Sequence, residues 1–150
     1  MSSLKYTTGA RTRNIVNIAK PGFGTPAYTL TDSLAAPTSA TDGFRNFNTQ
    51  KMLHVLVKST ANQTMDITLY VYNESLGGEW APLQIPVRAH NGNGIEFMTV
   101  TEQVAAGNVT TQYLRFDVPV EGAERIAIKA DRGGAIGAGN VLVYLGVNSI

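Results

Sequence analysis

A chain of 150 residues is long enough to bury a self-sufficient core as one domain. It holds no cysteine, which excludes a disulfide framework, a thiolate metal site and a cysteine nucleophile. Charged residues make up only 15% of it, against roughly 25% in an average globular domain, so its surface is built from Thr, Asn, Ser, Gln and Gly.

The net charge of +1 is unevenly spread. Residues 1–20 carry Lys5, Arg11, Arg13 and Lys20 and no acid; beyond Lys20, eight basic residues face eleven acidic ones, net −3. A charge of +4 is modest for nucleic acid, whose phosphates usually meet several closely set cations. The opening Met1-Ser2-Ser3-Leu4-Lys5 lacks the apolar core of a signal peptide, and no apolar run approaches the roughly 18–20 residues of a membrane span. Synthesis inside the cell is the expectation, with no membrane partner.

Residues 1–25 read as an extended arm ahead of a domain spanning 26–150. Asn14–Ala19 is the apolar patch of that arm, short enough to be an edge strand that completes its own sandwich or one strand added to a partner's sheet edge. Ile15, Val16 and Ile18 would anchor it, and Arg11, Arg13 and Lys20 would pair with acidic groups there. Lys20-Pro21-Gly22-Phe23-Gly24-Thr25-Pro26 punctuates the arm, because Pro removes donors and Gly frees the backbone. Residues 32–50 read as a long irregular connection, pinned to the body by Phe44 and Phe47.

Strands follow. Lys51–Lys58 alternates with Leu53, Val55 and Val57 on one face, and Asp66–Tyr72 with Ile67, Leu69 and Val71 inward. Trp80–Val87 reads as an edge strand or strand end, since it contains Pro82 and Pro86. His90-Asn91-Gly92-Asn93-Gly94 is a turn, because Asn-Gly pairs tolerate positive φ. Ile95–Val100 comes next, with Phe97 inward, and Thr101–Ala106 is the one place left for a helical turn. Tyr113–Val118 places Leu114 and Phe116 inward; Glu124–Ala130 does so with Ile126 and Ile128. A glycine-rich hairpin tip, Gly133–Gly139, leads to Val141–Val147. Val143 and Leu145 of that strand belong to the core, while Leu142 and Tyr144 make its second face apolar as well, as in a self-association strand. Short strands at this spacing predict an all-β, single-domain antiparallel β-sandwich of jelly-roll type.

No chemistry-bearing constellation emerges. Gly133–Gly139 reverses the spacing of a dinucleotide loop and precedes a strand where a helix is needed. His54 and His90 lack metal-ligand spacing, no Gly-x-Ser-x-Gly elbow is present, and the acids are scattered singly. No catalytic residue, metal ligand or cofactor site is assigned. Trp80 with Tyr70, Tyr72 and Tyr113 offers the alternative of an aromatic platform for a sugar.

In its total pattern the chain resembles the capsid decoration (cement) proteins of tailed bacteriophages. The features are the Thr/Asn/Gly-rich, cysteine-free composition, the arm through Lys20-Pro21-Gly22-Phe23-Gly24, and the stretches Leu69–Asn73, Gly78–Trp80, Glu124–Lys129 and Val141–Leu145. The resemblance implies a non-enzymatic virion protein on the capsid surface, binding the major capsid protein and favouring a homotrimer. Alternatives are a carbohydrate-binding module of an adhesin and a tail or neck component.

Overall fold

A computed structural model describes residues 25–45, 50–74, 77–88, 92, 94–107, 109–120 and 122–149. The arm over residues 1–24, Phe47 and His90 lie outside the described residues. What is described is strand and connection, with no helix among the described residues.

In chain order the strands are β1 (Tyr28–Leu30), β2 (Phe44–Arg45), β3 (Gln50–Ser59), β4 (Met65–Asn73), β5 (Glu79–Pro82), β6 (Gln84–Arg88), β7 (Ile95–Thr99), β8 (Thr101–Val104), β9 (Gln112–Pro119), β10 (Arg125–Arg132) and β11 (Val141–Ser149). One sheet runs β1-β11-β3-β9. The second runs β2-β10-β4-β5, with β8 also on β4, and β6-β7 form a separate ribbon. β1 lies beside β11, β2 beside β10, β3 beside β9, and β4 beside β5 and β8, all antiparallel. This nesting of first strand with last, second with next to last, is jelly-roll connectivity.

Period-two alternation explains the core. Leu53, Val55 and Val57 of β3 and Val141, Val143 and Leu145 of β11 face Met65, Ile67 and Leu69 of β4 and Ile126, Ile128 and Ala130 of β10, all buried. Leu30, Val100, Val104 and Val118 extend this one cluster to the edges. Leu114, Phe116 and Val71 pack against it only half-buried, because they stand where the sandwich opens.

The structure corrects four expectations. Phe97 is 65% exposed and belongs to the ribbon, not to the core. Thr101–Val104 forms no helical turn; it is β8, which completes the ladder on β4 with Thr68 Oγ1 and Thr101 Oγ1 2.9 Å apart. Trp80–Val87 is two strands, parted at Leu83. Residues 133–140 join the two sheets and are no hairpin tip. They pack on the β3–β4 connection, where Asn62 N–H donates to the Ala138 carbonyl (3.2 Å) and Gly133 N–H to that of Thr64 (2.9 Å). Gly139, at φ 77°, is needed there, since a Cβ would collide with the Thr60 carbonyl.

Truncation at a fully buried site and at the open edge should therefore differ. Leu53→Ala should cost about 2–5 kcal/mol, whereas Phe116→Ala should fall below the ~3–5 kcal/mol of a fully buried Phe. Urea unfolding followed by far-UV circular dichroism measures both. A loss at Phe116 within the full range would place that ring in the core.

Candidate functional site

β5 and β8 together form one edge strand along β4, and the chain leaves that edge between them. β5 pairs with Tyr70–Asn73 and β8 with Met65–Thr68. At the gap, Leu69 N–H donates to the Val100 carbonyl (3.1 Å), Leu83 N–H to that of Leu69 (2.9 Å), and Val100 N–H to that of Leu83 (2.9 Å). From this junction β6 and β7 run out as a ribbon, paired from Gln84↔Thr99 to Arg88↔Ile95.

Residues directly opposite share a face. One face of the ribbon carries Pro86, Ile95 and Phe97 with Gln84, Arg88 and Thr99. The other carries Ile85, Val87 and Met98 with Glu96. Every residue of β7 is exposed, Ile95 to 71% and Met98 to 53%. An isolated two-stranded ribbon is marginally stable in water, and clustered exposed aromatic and aliphatic side chains mark an interaction surface. Where the inner face returns to the sandwich, Ile85 and Met98 meet Phe116 and Val118 of β9 across a cleft of ≈ 270 Å³.

The site residues expected from sequence are distributed otherwise. Arg11, Arg13, Ile15, Val16, Ile18 and Lys20 lie outside the described residues. Leu142 and Tyr144 stand partly exposed on the outer face of β11, with Leu56 and Lys58 of β3 beside them in register. His54 lies on that same outer face, with Nδ1 2.6 Å from Asp117 Oδ1 on the neighbouring strand. Among the described residues no group of three His, Asp or Glu is placed to hold a metal ion.

The four aromatics do not form one platform. Tyr72 and Trp80 are a cross-strand pair with ring centroids 5.4 Å apart, and Tyr113 is on the other sheet. Residues 38–43 come up to this pair. Trp80 Nε1–H donates to the Ser39 carbonyl (2.8 Å), and Arg125 donates to the carbonyls of Thr41 and Asp42 (both 2.9 Å). Tyr72 is thereby buried on the outer face of its sheet, whereas alternation alone would expose it. Tyr28, at the sandwich edge against Phe44, has its hydroxyl pKa pushed up to about 12 by burial.

The Asn-Gly turn between two alternating runs predicts this hairpin, but the alternation alone puts Phe97 inward. Pro82, the last residue of β5 on β4, and Pro86, within the ribbon opposite Phe97, are the signal that the hairpin departs from its sheet.

No family model, no curated protein and no solved structure matches this chain.

The loop that seats Trp80 is held by a carboxylate. Asp42 Oδ2 accepts the Ser39 (2.7 Å) and Thr38 (2.9 Å) amides, and these two bonds, aided by Arg125, lower its pKa below the ordinary value. A lowered pKa means that the contribution is present above the ordinary carboxylate range and is lost as pH falls through the folded value. Trp80 is the sole tryptophan, so its emission reports the loop. Emission should shift to the red on acidification below the carboxylate range, and Asp42→Asn should show part of that shift at neutral pH. Constant emission down to acid pH in a folded protein would contradict this.

Proposed function

We propose that the chain is a non-enzymatic structural protein that docks on an assembled protein shell. The shell is the outer surface of a tailed-phage capsid, and the partner is its major capsid protein. The observation that carries the reading is the ribbon: Pro86, Ile95 and Phe97 present an exposed apolar cluster, flanked by Gln84, Arg88 and Thr99, on a rooted hairpin. Aromatic side chains are enriched where protein surfaces meet, and a β-ribbon offers them at low conformational cost. The resemblance in composition and strand pattern supplies the shell. A surface poor in charge suits the broad contact that decoration needs. Leu142 and Tyr144 on the outer face of β11 are the surface for self-association, with a trimer as the favoured state.

The carbohydrate alternative loses its main support, because Tyr113 stands on the other sheet and Trp80 is half-buried against Tyr72 with its Nε1–H given to Ser39, so the aromatics do not make one platform.

Co-sedimentation with empty heads assembled from the major capsid protein of the same virus tests the reading. The wild-type chain should move with the heads. Ile95→Ser/Phe97→Ser should lower head occupancy at least about tenfold, the effect of some 1.4 kcal/mol of interface energy. Its melting temperature should hardly move, since exposed substitutions rarely cost more than about 0.5 kcal/mol. A wild-type chain that stays at the top of the gradient overturns the shell reading. Full decoration by the double variant overturns the ribbon as the docking face.

A further inference from the structure

The inner face of the ribbon is left over from that reading, and its chemistry is different. The cleft between ribbon and sandwich is walled by Ile85, Met98, Phe116 and Val118; of its two charged lining residues, Asp117 is turned to the outer face and taken by His54 (2.6 Å), which leaves Glu102 as the acid of the cleft. By register Glu102 stands opposite Ile67, on the core-facing side of β8 at the open edge, and it makes no ion pair among the described residues. Glu96 adds a second acid on the same ribbon face as Met98. Along one side of the cleft runs β9, the edge strand of its sheet, which pairs with β3 and forms no second ladder among the described residues. An apolar slot with an acidic rim beside a strand edge takes an extended, apolar and basic peptide by strand addition.

The sequence contains such a peptide. Asn14–Ala19 has Val16 and Ile18 on one strand face, Arg11, Arg13 and Lys20 flank it, and no acid occurs before Lys20. Six residues extend about 20 Å, within the eight-residue length of β9. We infer that the cleft between the β6–β7 ribbon and β9 receives the N-terminal segment Arg11–Lys20 of a second copy of this chain. Val16 and Ile18 enter beside Met98 and Phe116, and the flanking cations meet Glu96 and Glu102.

A second copy is the occupant because of where the described chain starts. Thr25 precedes β1, at the opposite edge of the sheet from β9, so the two edges are three strand spacings, roughly 14 Å, apart. The six steps from Ala19 to Thr25 reach about 20 Å when fully extended. They include Pro21, Gly22 and Gly24, and they would have to cross a whole sheet face as well as turn its edge. Exchange of the segment between copies needs no such taut path and is a low-cost route to an oligomer. Electrostatic pairing of the basic segment with the acidic rim steers the encounter, so it weakens with salt.

The absence of native cysteine provides the test. Single variants Ile18→Cys and Met98→Cys, distinguished by a mass tag, are mixed in equal amounts under mild oxidation at low micromolar concentration. The mixed disulfide dimer should exceed either homodimer about tenfold, and adding Glu102→Lys to the Met98→Cys chain should reduce it several-fold. A statistical mixture, or no disulfide, overturns the inference. So does a chain carrying both cysteines that closes on itself as a monomer, which assigns the cleft to the chain's own segment. The experiment uses no shell, so its failure leaves the capsid reading untouched, and failure of head binding leaves this inference untouched.

Discussion

Three peptide groups, those of Leu69, Leu83 and Val100, close a ring of hydrogen bonds of 2.9–3.1 Å at the point where the edge strand of one sheet is interrupted. Leu69 and Val100 are buried members of the core, so these bonds are shielded from water, and leaving any one of them unmade would cost about 1–3 kcal/mol. The ring lets β5 and β8 occupy one continuous edge of β4 while eighteen residues, Leu83–Val100, leave it and return. It also fixes the ribbon's direction. One ribbon face turns outward with Phe97, and the other turns back over β9 with Met98. Without that junction neither surface would have a defined geometry.

The central strands were legible because their alternation is a direct imprint of burial. Leu53, Val55 and Val57, or Ile126 and Ile128, occur at period two since one face of each strand meets the opposite sheet. The ribbon was not legible for the complementary reason. Alternation states which residues share a face, not whether anything covers that face. Phe97 shares its face with Ile95 and Pro86, and the sandwich does not reach them. Tyr72 shows the converse: residues 39–43 cover an outer face that the strand pattern would leave to solvent. β1 and β2, three and two residues long, were too short to carry any period at all. Leu142 and Tyr144 were correctly expected on the outer face, because strand parity alone decides it.

Two loops stiffen the ends of this frame by different means. Residues 133–140 lie on the β3–β4 connection through backbone bonds and a glycine that no other residue could replace without strain. Residues 38–43 are held instead by side chains: Asp42 gathers two amides, and Arg125 gathers the carbonyls that follow. Side-chain bonds of this kind satisfy a loop that has no ladder of its own. Rigid ends and a rooted junction confine the ordering on docking to the ribbon itself, which limits the entropy lost in making contact through a small apolar face.

Hydrogen exchange resolved to single amides tests most directly whether the ribbon is a rooted but uncovered docking element. In the isolated chain the amides of Leu69, Leu83 and Val100 should be as protected as those in the middle of β3 and β4. Amides within Ile95–Thr99 should exchange much faster, and should slow once the chain is assembled with its partner. If the ribbon amides of the isolated chain are already as protected as those of β3, or the junction exchanges as fast as the ribbon, the rooted, uncovered ribbon does not exist.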